Sequence, residues 1–339
     1  MWRLPILLLV GSAIVVLGAV SHAADDNEPA SDVTLTGNAV AHFAGVDEGR
    51  TILANRDRFV AAQTAWDRQA RLKSAHDVSA DEYLKFVAGE VLAWDAADRE
   101  KLGAAIAKVR ERLRPWKLPF PRQIALVRTT GKEEGGAAYC RGSAVVLPKG
   151  IVDGRSAEAL ERLLLHELFH VLSSHNEALR ERLYGVIGFA RCGEIELPDD
   201  LAARKITNPD APTIEHRVEI AIDEQPVEVV PILLADAAKY DATARREFFA
   251  FMKFRLLAVA KDERGHYALR LRDDKPWLID PAAVPSYHEK IGHNTGYIIH
   301  PEEIIADNFV LVMLGEENVK TPRILEAMRA ILRDPSGKQ

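Results

Sequence analysis

Residues 163–174 read LLLHELFHVLSS, two histidines and a glutamate set in a run of leucine, phenylalanine and valine. The apolar residues predict a largely buried helix over about 156–173, with Ser156 as its N-cap. Four residues make a little over one helical turn, so His166 and His170 project from one face and can reach a single ion. Glu167 lies one step round from His166, where its carboxylate can sit beside an ion without binding it and can take a proton from water. A carboxylate buried unpaired among those leucines is strongly unfavourable. A cation between the imidazoles removes that objection. This is the HExxH arrangement, here H-E-L-F-H, and its donors suit one zinc ion, which accepts imidazole and carboxylate in a tetrahedral set with one position left open.

Two histidines leave such a site one protein ligand short. A third histidine beyond the motif, after an intervening glycine, is excluded, because Ser173 and Asn176 stand at the corresponding positions and His175 is out of register. The other solution is a carboxylate from a second helix, and HPEEIIADNF (300–309) offers Glu302 and Glu303. Glu303 is preferred. Asp307 lies four residues on along the same face, where it can accept the free ring N–H of a ligating histidine and fix its tautomer. The helix is also apolar from Ile304 through Phe309 to Leu314, and a buried helix presenting carboxylates inward needs something positive to receive them. Glu302, on another face, is explained as a first-turn acid favoured by the helix dipole, which is also the alternative for Glu303. His300 precedes Pro301 and falls outside the helix.

The pair H166-E-L-F-H170 and E303-I-I-A-D307 resembles the gluzincin type of zinc metallopeptidase, in which an ExxxD-like motif on a later helix completes the HExxH site. The resemblance implies His166, His170 and Glu303 as zinc ligands, Glu167 as catalytic base and Asp307 as the partner behind a ligand. It also implies a small sheet before the active-site helix, whose edge strand holds extended peptide; AYCRGSAVVLP (138–148) is the candidate. The spacing from His170 to Glu303 is long for the simplest members.

The remainder of the 339 residues fits a globular α+β chain, nearly half apolar and about a quarter charged. Its formal net charge of -6, with acids and bases interspersed, excludes a nucleic-acid surface. The first residues carry Arg3, an apolar run from Leu4 to Val20 and a small-residue exit ending at Ala23: a secretory signal over 1–23, with an uncleaved membrane anchor as the alternative. Residues 24–33 read as a flexible linker, and 34–335 as one zincin-like unit with a β-rich insertion around 213–272. The expected order is amphipathic helices to about Arg114, then QIALVRTT and AAYCRGSAVVLP as a hairpin or neighbouring strands. The HExxH helix, a helix from about 177 to 187, the insertion and two closing helices follow. Cys140 and Cys192 exclude a cysteine-based zinc knot; in an exported protein they can form a disulfide or stay as two thiols.

The function expected is a secreted or periplasmic metallopeptidase acting on peptide or protein through a zinc-activated water, with Glu167 as general base. No membrane contact is expected after signal cleavage. Tyr297 is the first candidate for a second oxyanion donor, with His293 and His216 behind it. TNPDAP (207–212) reads as a surface loop, with a substrate rim as the alternative. The competing functions are a non-catalytic zinc-binding envelope protein and a zinc hydrolase of a non-peptide amide.

Overall fold

The computed structural model describes residues 32–337 apart from 38 and 245–247. The expected signal segment over 1–23 and most of the expected linker over 24–33 therefore lie outside the described residues. Strand β1 (Asp32–Thr36) reaches back into the last two positions read as linker. It opens a six-stranded sheet with β2 (Ala39–Phe43), β3 (Val91–Leu92), β4 (Gln123–Thr129), β5 (Tyr139–Arg141) and β6 (Ala144–Pro148). The order is β1-β2-β4-β6-β5, with β3 antiparallel to β4. β2, β4 and β6 are mutually parallel, while β1 and β5 run antiparallel at the two edges.

Parallel strands must be buried on both faces, and the period of two along β4 and β6 provides two apolar faces. Ile124, Leu126, Val145 and Leu147 face one way; Ala125, Val127 and Val146 face the other. The second face is covered from α1 (Val46–Leu53), α2 (Arg58–Ala62) and α4 (Ala80–Gly89), through Leu53, Phe59 and Val87. α3 (Ala65–Leu72), between them, sends Trp66 and Ala70 into a separate cluster. Under the first face lie α5 (Ala96–Leu113) and, after the short α6 (Lys149–Gly154), the HExxH helix α7 (Ala157–His175). Ser156 caps α7 by accepting from the Ala159 N–H. α8 (Glu177–Val186) follows directly.

A second sheet is built from β7 (Phe189–Arg191), β8 (His216–Ile222), β9 (Gln225–Ala235), β10 (Met252–Lys261) and β11 (Tyr267–Leu269), with the one-turn helix α9 (Asp199–Ala202) after β7. A ribbon of β12 (Leu271–Arg272) and β13 (Lys275–Pro276) precedes β14 (Leu278–Ile279), which joins β10. Val218, Val229 and Leu256 turn toward the common core, and Val230, Ile232 and Leu257 pack outward on Ile195 and Leu201. The chain closes with α10 (Pro285–Ile291), α11 (Pro301–Leu314) and α12 (Pro322–Arg333). Gly315, at φ 73°, ends α11 in the left-handed conformation.

The chain is thus α+β with helices at its end, as the sequence predicts, but it opens on the strands β1 and β2 where helices are expected first. Details differ. QIALVRTT and AAYCRGSAVVLP are neighbours through the parallel pair β4–β6, and the hairpin lies within the second stretch, where Gly142 at φ 60° turns β5 into β6. The β-rich segment extends from Phe189 to Ile279 rather than 213–272, because β7 and β14 are too short to show alternation. Cys140 and Cys192 are both free thiols, so the disulfide alternative is not realised. No helix among the described residues is long and apolar enough to cross a membrane.

Candidate metal centre

α7 and α11 pack against each other, and their contact faces carry the motif residues. His166 and His170 stand with ring centroids 4.7 Å apart and planes at 84°. Glu303 Oε2 is 3.2 Å from His166 Nε2 and 3.6 Å from His170 Nε2. Donors about 2.0–2.1 Å from a zinc ion at tetrahedral angles stand roughly 3.4 Å from one another. The separations of 3.2 Å and 3.6 Å bracket that edge length. One ligand atom from each of the three residues lies within 4.8 Å of the others, with His170 and Glu303 buried.

What turns the two Nε2 atoms inward is a carboxylate behind each ring. His166 Nδ1 is 3.0 Å from Asp307 Oδ1, and His170 Nδ1 is 2.9 Å from Glu302 Oε1. A ring that donates from Nδ1 keeps the lone pair of Nε2 for an ion. α11 therefore supplies three carboxylates to one site: Glu303 between the imidazoles, Asp307 behind one and Glu302 behind the other. Glu302 is 2% exposed, and it also accepts hydrogen bonds from the hydroxyls of Ser173 and Tyr184. The reading of Glu302 as a first-turn acid facing elsewhere is corrected by these contacts. Its backbone N–H donates to Nδ1 of His300, which is the N-cap of α11. Burial, with the nearby His216, holds His300 down at about 3, so it remains an acceptor.

Glu167 is 3% exposed and lines the same cleft as His166, His170 and Glu303, a cavity of about 450 Å³. Burial raises its carboxyl above the ordinary range, against the pull of His170 and His166. Burial alone would lower His166; hydrogen bonds to Asp307 and Glu303 outweigh it and raise the ring to about 10. Burial alone would raise Glu303; His170 and His166 outweigh it and hold the carboxyl at about 2. The shifts of both rings and of Glu303 run the same way, favouring the protonated form of the rings and the ionised form of Glu303, so the cluster favours positive charge beside its buried carboxylates.

Tyr297 lines the cleft, stacked on His166 with centroids 6.2 Å apart. His216 is buried elsewhere, on Glu181, and His293 is exposed with its backbone N–H bonded to Thr321. Neither lines the cleft. Segment 207–212, expected at the surface, enters the site. Asn208 Nδ2 donates to Glu303 Oε1 at 2.6 Å, and Asp210 Oδ1 accepts from the Cys140 N–H at 2.8 Å.

That segment is pinned by a buried ion cluster that was not recognised in the sequence. Arg71 Nη1 donates to Asp67 Oδ1 at 2.8 Å and Nε to Glu134 Oε2 at 2.6 Å, while Nη2 donates to the Thr207 carbonyl at 2.9 Å. Thr207 returns two bonds to Asp67, through its N–H and its hydroxyl. In the sequence Asp67 and Arg71 look like charges on the solvated face of an amphipathic helix. Arg71→Lys loses the planar fork and leaves carboxylate oxygens unpaired. Urea unfolding is expected to show a loss of about 2 kcal/mol; an unchanged midpoint would mean the fork contributes nothing.

Comparison with protein-family models, curated proteins and solved structures gives no match to this chain.

Proposed function

We propose that the chain is a zinc-dependent peptide hydrolase of gluzincin type, exported by its N-terminal segment. The observation that carries this reading is the triangle of His166 Nε2, His170 Nε2 and Glu303 Oε2, with a carboxylate behind each ring. Three protein donors leave one tetrahedral position open, and a buried carboxylate that is not one of the three stands beside it, which favours catalysis over a structural role. Bound zinc would supply Lewis acidity, making water acidic near neutral pH and polarising a peptide carbonyl. Glu167 takes the proton of the attacking water and delivers it to the leaving amine. Asp307 and Glu302 hold the rings in register. The Tyr297 hydroxyl donates to the oxyanion that develops on the former carbonyl oxygen.

Elemental analysis of the mature protein is expected to give one zinc per chain, lost in His166→Ala. Hydrolysis of a peptide library should stop on chelation and return with zinc. A zinc-free protein, or activity indifferent to chelators, rejects the reading. Tyr297→Phe is expected to lower kcat by about a hundredfold with KM little changed; an unaltered rate would take Tyr297 out of the mechanism.

Metal binding must also displace protons. In chelator-treated protein His166, at about 10, and His170, raised well above 6.5, are protonated at pH 7. Both must surrender a proton to offer Nε2. Calorimetry in buffers of different ionisation enthalpy should show about two protons released per zinc at pH 7, and zinc affinity rising with pH. The sign for stability is opposite. Raised histidine pKa values stabilise chelator-treated protein fully below 6.5 and cease to do so as pH passes about 10. Zinc binding without proton release would contradict this assignment of charge.

A further inference from the structure

We infer that the hydrolase acts as an aminopeptidase, with Asp210 as the anchor for the free α-ammonium of the substrate. This deepens the reading above and rests on it.

The argument starts from the open edge of the first sheet. β5 lies opposite β6 in the register Tyr139–Val146, Cys140–Val145 and Arg141–Ala144, and the Cys140 N–H donates to Asp210; by antiparallel alternation the backbone groups of Cys140 therefore point away from β6. By the same alternation Ala138 also points outward, and among the described residues it makes no backbone hydrogen bond. An extended peptide can therefore add to the edge at Ala138, but at Cys140 the edge is already taken. A peptide added antiparallel to β5 has its N-terminal end toward Cys140. The blocked end of the groove is the end at which the substrate begins.

The block is chemically suited to that end. Among the described residues only the Cys140 amide donates to the Asp210 carboxylate, which leaves lone pairs for an ammonium. Asp210 lines the metal cleft and also the cavity that continues past Cys140 and Arg141, so it stands as a partition between the two. Its position is fixed from behind, because Thr207 is held by Asp67 and Arg71 and the Asp210 N–H donates to Asn208. Distance sets how much is removed. Carboxylate oxygens of Asp210 and Glu167 lie within 4.8 Å of each other. In an amino acid the α-nitrogen and the carbonyl carbon are two bonds apart, about 2.5 Å. An ammonium on Asp210 thus brings the first peptide bond beside Glu167. Water adds to that carbonyl carbon, the C–N bond breaks, and the proton taken by Glu167 goes to the departing nitrogen. The products are one free amino acid and a peptide shorter by one residue.

The test uses peptide pairs identical except for a free or an acetylated N-terminus. Zinc-loaded wild type is expected to release single residues from the free form and leave the acetylated form intact, read by mass spectrometry. In zinc-loaded Glu167→Gln, calorimetry should show the free form binding at least about thirtyfold tighter. Asp210→Asn, which retains an acceptor for Cys140, should shrink that preference to about threefold at most, with zinc content unchanged. Cleavage of acetylated peptides at interior bonds, or equal binding of the two forms, overturns the proposal while leaving the hydrolase reading standing. Failure of the zinc-loaded wild type to cut any peptide overturns both.

Discussion

Glu167→Gln is expected to reduce peptide hydrolysis by about a thousandfold or more, with zinc still bound at one equivalent and the fold unchanged. The expectation follows from the position of the side chain. Glu167 is buried beside the two rings but is not part of the triangle that would hold the ion. Glutamine matches it in volume and cannot accept a proton. The contact of its carboxylate with the Cys140 thiol, at 3.5 Å, is weak, so little stability is at stake. A buried carboxyl held above its ordinary pKa is also a poor contributor to stability, and a neutral amide there costs little. Turnover and stability should therefore separate. Full activity in the variant would remove Glu167 as base, and loss of zinc would mean that it is a ligand instead.

The parts of this site that were legible in the sequence are those carried by a single helix. The four-residue spacing of His166 and His170, and that of Glu303 and Asp307, are properties of α7 and α11 alone, and both helices are marked by apolar runs and by Ser156 or Pro301 at their starts. The sheet before α7 was legible where apolar, β-branched residues ran together between turn residues, as in β4 and β6. The pair β1–β2 was missed because it lies next to a long helical stretch and carries Thr and His among its apolar positions. Asp210 and Asn208 could not be found locally. Their placement depends on Arg71, more than a hundred residues earlier, whose partners Glu134 and Thr207 come from different segments. Glu302 was misread for the same reason: nothing in PEEIIAD distinguishes an acid serving the helix dipole from one serving His170, since Ser173 and Tyr184 come from α7 and α8.

That distinction yields the second large effect. Glu302→Ala is expected to destabilise the protein by about 3–5 kcal/mol and to weaken zinc binding by about ten- to a hundredfold. The carboxylate accepts from His170 Nδ1, Ser173 and Tyr184, all in a buried setting. Removing it leaves three donors without an acceptor, and each orphan costs about 1–3 kcal/mol less whatever water can recover. His170 is also freed to take the other tautomer, which turns a hydrogen rather than a lone pair toward the ion. Asp307→Ala should cost less, because its side chain is 36% exposed and water can replace it behind His166. If Glu302 served the helix dipole alone, its loss would cost under about 1 kcal/mol and leave zinc affinity intact. Chemical unfolding and competitive zinc titration of the two variants, side by side, decide between a backing group for His170 and an ordinary first-turn acid.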